Sequence, residues 1–198
     1  MSKRNSNREQ TKQRIIEASS VVFNKKGVLG TSLSDIEKAT ALTKGSIYGN
    51  FKNKEEVALK AFQHNYGLLK KGISAKIREA QTAREELMAY IHFYRENYQF
   101  HFTRGGCPIL NAGIDADDAN IEVLEAVNKA IRDWQRHLSR VIQKGQEAEE
   151  WNTPVQAENF VTLFISLLEG GIFLAKTTGD IKHLLRNLDH LEQTILEL

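Results

Sequence analysis

Two groups of residues in this sequence could do chemistry. The first is Arg104-Gly105-Gly106-Cys107-Pro108, around the chain's one cysteine. Proline favours the first turn of a helix, which puts Cys107 at or beside a helix N-terminus. Helix N-termini and nearby cations lower thiol pKa values. Cys107 therefore reads either as a sensor thiol for oxidants or electrophiles, or as a small buried hydrophobe in a cavity wall. The second group is Thr43, Lys44, Gly45, Ser46, Tyr48 and Asn50, followed by Lys52 and Lys54. Hydroxyls and ammonium groups set among small residues suit phosphates and base edges.

Other chemistry finds little support. The histidines at 64, 92, 101, 137, 183 and 190 form no paired ligand spacing, and one cysteine makes neither a disulfide nor a zinc knuckle. Asp115, Asp117 and Asp118 alternate like part of a calcium loop but lack its glycine and closing glutamate. With no nucleotide-binding glycine motif either, the expectation is no metal, no cofactor and no enzyme. The rivals from other classes are a thiol-dependent small-molecule enzyme and a nucleoid-type DNA binder without ligand control.

The net charge of +2 hides an asymmetry. Residues 1–60 hold 12 Lys/Arg against 6 Asp/Glu, and the remaining 138 hold 15 against 19. A basic module that meets a polyanion, joined to a slightly acidic module, fits that split.

The elements that must position these residues are helical. Only two prolines interrupt 198 residues. Apolar residues at helical spacing predict helices over about 8–26, 33–42, 43–51 with Thr43 as N-cap, and from 54 behind Asn53. Further helices are predicted over 83–102, 108–116, 120–148, from Pro154 to about 176, and 181–198. Ser32 and Asp35 signal a capping box. Two short helices joined by a tight turn form a helix-turn-helix layout. Domains are expected at 1–53 and 54–198, linked through the fourth helix.

Glycine in a helix interior costs about 0.8–1 kcal/mol relative to alanine, yet Gly45 and Gly49 both stand in the short third helix. At 100° per residue, Ile47 and Phe51 face a core while Gly45, Ser46, Gly49 and Asn50 lie opposite. Such glycines let the backbone approach DNA, or let another helix pack closely. The segment TSLSDIEKATALTKGSIYGNFKNKEEV, with the residues before it from about 8 to 60, resembles the DNA-binding module of TetR-type (TetR/AcrR) bacterial regulators. The resemblance implies that the third helix reads the major groove of a double-stranded DNA operator. Lys44, Gly45 and Ser46 match base-proximal positions, and Thr43, Tyr48 and Lys54 match phosphate-contacting ones. The sequence departs from many members at Gly49 and Asn50.

The same resemblance implies an all-α fold with a C-terminal domain that holds a small-molecule effector and forms a homodimer through the last two helices. Ile181, Leu184, Leu185, Leu188, Leu191 and Ile195 make a stripe suited to a four-helix interface, with burial inside the monomer as the other reading. Gly170-Gly171 would allow a partner helix close approach. Phe62, Tyr66, Tyr90, Phe93, Tyr94, Cys107, Trp134 and Phe164 are the candidate wall of an apolar, aromatic ligand cavity, and could equally be a filled core. The most apolar window, residues 160–175, is short for a membrane span and contains Glu169. No signal peptide is evident, so a cytoplasmic, ligand-released repressor is expected.

Overall fold

The computed structural model describes residues 3–116, 120–152 and 154–198, with side chains from residue 7 onward. Asp117 and Asp118 of the calcium-like pattern lie outside the described residues. The described residues form nine α-helices and no strand: α1 (Lys3–Lys26), α2 (Leu33–Thr40), α3 (Lys44–Tyr48), α4 (Lys54–Ile77), α5 (Ala83–Thr103), α6 (Pro108–Ala116), α7 (Ile121–Glu147), α8 (Ala157–Thr178) and α9 (Lys182–Glu197). The fold is all-α, as the periodicity predicts. Apart from shifts of one or two residues elsewhere, three boundaries differ from expectation, one of them the end of α3, at Tyr48 rather than residue 51. α1 starts five residues earlier than residue 8, and α8 starts at Ala157 rather than at Pro154. Gln146 Nε2 donates to the Val155 carbonyl at 3.1 Å, and Gln156 is extended, which keeps Pro154 outside the helix.

The chain makes two compact units: Met1–Leu68 with Pro108–Lys129, and Leu69–Cys107 with Ala130–Leu198. This differs from a division after residue 53, because α6 and the start of α7 return to the N-terminal helices. The α4 and α7 helices each begin in the first unit and end in the second.

The first unit is built on Ile15, Phe23, Val28, Ile36, Ile47, Phe51, Val57, Ala58 and Ala61, with Ile16, Leu33 and Leu42 at its margin. Neither α2 nor α3 is long enough to stand alone. Burial of Ile36 and Ile47, each worth about 1.5–3 kcal/mol, supplies what propensity lacks. Ser32 and Asp35 form a reciprocal capping box at α2, Thr43 caps α3, and Asn53 Oδ1 accepts from Glu56 N at 2.9 Å to cap α4. The Lys26 ammonium, 2.7 Å away, and the Ser32 donors hold the Asp35 carboxyl well below the usual carboxylate range.

The turn from α1 to α2 is tied from two sides. Asp115 of α6 accepts from Val28 N at 2.5 Å, while Asn111 Nδ2 donates to the Asn24 carbonyl at 3.0 Å. Lys54 Nζ donates to the carbonyls of Val28 at 2.7 Å and Thr31 at 3.1 Å. Gly27 sits at φ 71°, and a Cβ there would stand 2.1 Å from Asp115 Oδ1. Left-handed backbone and close approach both call for glycine.

The second unit packs α5, the later part of α7, α8 and α9. Leu87 and Ile91 of α5, Leu138 and Ile142 of α7, and Phe164 and Leu168 of α8 are fully buried. The expected dimer stripe on α9 is corrected here. Leu184, Leu188, Leu191 and Ile195 are 0–2% exposed within a single chain. They are taken up because α9 lies against α8 and α5 of its own chain: Asn187 Nδ2 donates to the Leu167 carbonyl at 2.7 Å, and Arg95 bridges to Asp189 and Glu192. Gly171 makes this approach possible, since a Cβ there would meet Leu184 Cα at 3.2 Å. Gly170 has open space beside it, and Leu163, Phe173, Leu174 and Leu196 are exposed. At 22 residues α8 is long and apolar enough to cross a membrane, longer than the window expected from sequence. Its packing on α9 and the acidic Glu169 mark it as a core helix.

Candidate nucleic-acid interface and aromatic interior

On α3, Ile47 is fully buried and Phe51 nearly so, which fixes the opposite face outward. Thr43, Lys44, Gly45, Tyr48 and Gly49 are exposed there, with Ser46 and Asn50 half-buried. Thr43 Oγ1 accepts from Ser46 N at 3.3 Å, so its hydroxyl hydrogen is left to face outward. Glu37 Oε1 accepts from Lys44 N at 2.7 Å, occupying one of the first free N–H groups of α3. Asn50 folds back, donating from Nδ2 to the Ser46 carbonyl at 2.8 Å. Lys52 is exposed. Lys54 is placed otherwise than expected: two of its three ammonium hydrogens are engaged by Val28 and Thr31, leaving one for an outside partner.

Gly45 lies inside α3 and Gly49 caps its C-terminus, and the two differ. A Cβ on Gly49 would come within 3.0 Å of the Gly45 carbonyl, a constraint internal to the helix. A Cβ on Gly45 would meet nothing within 4 Å, so close helix packing does not account for it.

Sequence reasoning passed over two residues of this face. Arg8 reaches the Gly49 carbonyl at 3.4 Å from 41 positions away, and Glu37 braces the α3 N-terminus. Neither contact has a local sequence signature.

The aromatic residues form a connected interior in the second unit. Tyr90 stacks near Trp134 at 6.2 Å between centroids and meets Phe164 edge-on at 5.7 Å. Phe93 meets Tyr94 edge-on at 5.2 Å. All five are at most 8% exposed. Cys107 is buried and donates from Sγ to Glu169 Oε1 at 2.9 Å. Of the other expected wall residues, Phe62 and Tyr66 belong to the first unit, stacked at 6.1 Å. Phe62 there borders a cavity of ≈ 20 Å³ with Phe23, Ala58 and Val123, room for about one water molecule.

The polar groups of the aromatic interior are incompletely paired. Tyr94 OH, Trp134 Nε1, His137 Nε2 and Glu169 Oε2 are buried without a hydrogen-bond partner. Burial pushes the Glu169 carboxyl up to about 7, although the bond from Cys107 works against it. Burial likewise raises the Tyr94 phenol, helped by Cys107 and Glu169. His101, whose ring lies 6.3 Å from that of Tyr94, is lowered to about 4 by burial and by the Arg104 charge, so it is neutral at pH 7. Burial also lowers His137, and Arg140 adds to that, against an opposing pull from Glu86. Glu169 was noted in the sequence only as a charge in an apolar window.

Residues 15–61 match the family of bacterial regulatory proteins, tetR family, and residues 83–191 match the tetracyclin repressor-like C-terminal domain. The chain belongs to the TetR family. A solved TetR-family transcriptional regulator from Cytophaga hutchinsonii is 38% identical, with 97% of this chain and 96% of that one covered and a TM-score of 0.90. The HTH-type transcriptional regulator YxaF of Bacillus subtilis is 27% identical, with 87% of this chain and 88% of that protein covered. The HTH-type transcriptional repressor DhaR of a Mycobacterium strain is 23% identical, with 85% and 84% covered. TetR-family membership makes the α2–α3 pair its helix-turn-helix and the module over residues 15–61 its DNA-binding part.

Proposed function

We propose that this TetR-family chain is a cytoplasmic, non-enzymatic transcriptional repressor that binds a pseudo-palindromic operator as a homodimer and is released by a small apolar or aromatic ligand. One observation carries the DNA reading furthest: Gly45 has open space where a side chain would stand, on the outward face of a helix it weakens. A residue that its own protein does not require to be small is small for a partner's sake. Lys44, Gly45 and Ser46 then approach base edges, while Thr43, Tyr48, Asn50 and Lys52 serve phosphates. Lys54 acts from behind, holding the α1–α2 turn, with one N–H left for a phosphate.

One five-residue reading helix spans few bases, and two-fold symmetry remedies this by placing half-sites about 34–36 Å apart or at multiples of that spacing. The outward apolar residues of α8, Leu163, Phe173 and Leu174 beside the open Gly170, support a dimer through the last two helices. The interior around Tyr90, Phe93, Tyr94, Trp134 and Phe164 is the ligand site in this reading. Ligand acts by favouring one of two arrangements of the reading heads. Because α4 and α7 are shared between the units, they are the natural carriers of that change.

The burial of Cys107 and its carboxylate partner favour a wall residue over a reactive thiol, since reactive thiols sit in accessible, electropositive surroundings. The test is fluorescence anisotropy on the duplex upstream of the protein's own gene, with excess non-specific DNA. Saturable binding by a dimer supports the proposal. No binding there, and none after selection from random sequence, refutes it.

A further inference from the structure

The unpaired groups of the aromatic interior are arranged in two sets one helical turn apart. Tyr90 and Tyr94 are i and i+4 on α5, separated along the axis by about 6 Å. At Tyr90 the neighbours are rings: Trp134, Phe164 and His137, 5.7–6.2 Å away. At Tyr94 the neighbours are Cys107 and Glu169. Tyr94 is 2% exposed with its hydroxyl unpartnered. Glu169 has one oxygen on the Cys107 thiol, a weak donor, and its other oxygen is buried with no donor at all. Burial raises its pKa against the lowering pull of the Cys107 bond, and no cation figures among the causes. A buried carboxylate is expensive to ionise unless paired. Cys107 is only a weak donor, the Tyr94 hydroxyl makes no bond to it, and His101 beside Tyr94 is neutral.

We propose that the ligand of this interior is an aromatic ammonium, its ring against Tyr90, Trp134 and Phe164 and its charged nitrogen about one helical turn away, on Glu169 Oε2 and the Tyr94 hydroxyl oxygen. The proposal rests on the ligand-responsive reading above and names the chemical class. An N–H⁺ donor supplies the countercharge that Glu169 lacks. The surrounding ring faces attract a cation further. Trp134 Nε1, a donor, and His137 Nε2, an acceptor when neutral, stand ready for a polar substituent on the ring. An anion would face a carboxylate and the negative faces of the rings. A neutral analogue would gain the ring contacts and leave Glu169 unpaired.

The experiment is isothermal titration of the full chain at pH 8 with three probes on one skeleton: 3-(2-naphthyl)propylammonium, the matching alcohol and the matching carboxylate. The expected result is an ammonium bound at least about ten-fold more tightly than the alcohol, with the carboxylate weakest. Glu169→Gln should bring the ammonium to the alcohol's affinity and leave the alcohol unchanged. Tyr94→Phe, which keeps the packing, should weaken the ammonium alone. Circular dichroism matching the parent shows that both variants are folded. Equal affinities, preference for the carboxylate, no ammonium binding, or a preference that survives in Glu169→Gln would each overturn the proposal. DNA release is read separately on the duplex the protein selects. Glu169-dependent ammonium binding without DNA release would leave the ligand class standing and sink the ligand-released regulator. Release by the alcohol as readily as by the ammonium would do the reverse.

Discussion

Asp115 on α6 accepts a 2.5 Å hydrogen bond from the backbone N–H of Val28, 87 residues earlier in the chain. With the Asn111–Asn24 bond, it fastens α6 to the turn that leads into α2. Asp115→Ala should destabilise the chain by about 1.5–3 kcal/mol, the range for a hydrogen bond to a charged group. Asp115→Asn keeps an acceptor and should lose less. Urea denaturation of both variants measures the difference, and equal losses would show that the carboxylate does not matter.

Gly45→Ala should separate stability from recognition. The added methyl group meets nothing, and alanine is the better helix former by about 0.8–1 kcal/mol, so stability should hold or rise slightly. Specific DNA affinity should fall at the same time. A thermal melt beside an anisotropy titration checks both, and undiminished DNA binding would remove Gly45 from the interface.

Lys54→Ala should unsettle the α1–α2 turn by removing two charge-assisted bonds, a loss of about 1.5–3 kcal/mol or more. Each lost phosphate contact lowers the salt slope of DNA binding by about one. The slope for Lys54→Ala should fall by about one while its denaturation midpoint drops. A slope equal to the parent's would take Lys54 off the phosphate contacts.

Glu169 makes stability depend on pH in an unusual direction. Its carboxyl rises from 4.5 to about 7 on folding, so between those values the folded state holds a proton that the unfolded state has lost. Stability therefore falls as pH rises from 4.5 to 7, by on the order of 3 kcal/mol. His101, lowered to about 4, acts oppositely below 6.5. The comparison with Glu169→Gln isolates the carboxyl: the variant's advantage should widen from pH 4.5 to 7 and then level off. A constant difference would rule the shift out.

Leu163→Lys together with Phe173→Asp, both on exposed positions of α8, should yield a folded monomer by sedimentation analysis. Leu188→Ala, at a fully buried position, should instead cost about 2–5 kcal/mol of stability. A dimer that survives the double substitution would move the interface elsewhere.

The helices were legible because periodicity and capping are local. Thr43, Asn53 and the Ser32–Asp35 pair lie within three residues of the groups they cap. Ile47 and Phe51 announced the buried face of α3, and hence the outward one. The α9 stripe was equally visible, but an apolar stripe does not say whether it meets its own chain or another. Gly171 and Asn187 decide that, through a contact twenty residues long in sequence and absent from any local pattern. The hold of Lys54 on the α1–α2 turn was hidden for a related reason: a lysine beside a recognition helix looks the same whether or not it also reaches the Val28 carbonyl. Cys107 and Glu169, 62 residues apart, could not be paired before the fold was known.

The first unit is discontinuous in sequence, since Pro108–Lys129 completes what Met1–Leu68 begins. During synthesis, the acceptor for Val28 N–H emerges only after the whole of α5 has been made. A reading head cut off near residue 60 would lack Asp115 and Asn111, and would leave the polar groups of the α1–α2 turn to water. The smallest stretch that carries the DNA-facing surface with its bracing intact therefore runs past Asp115.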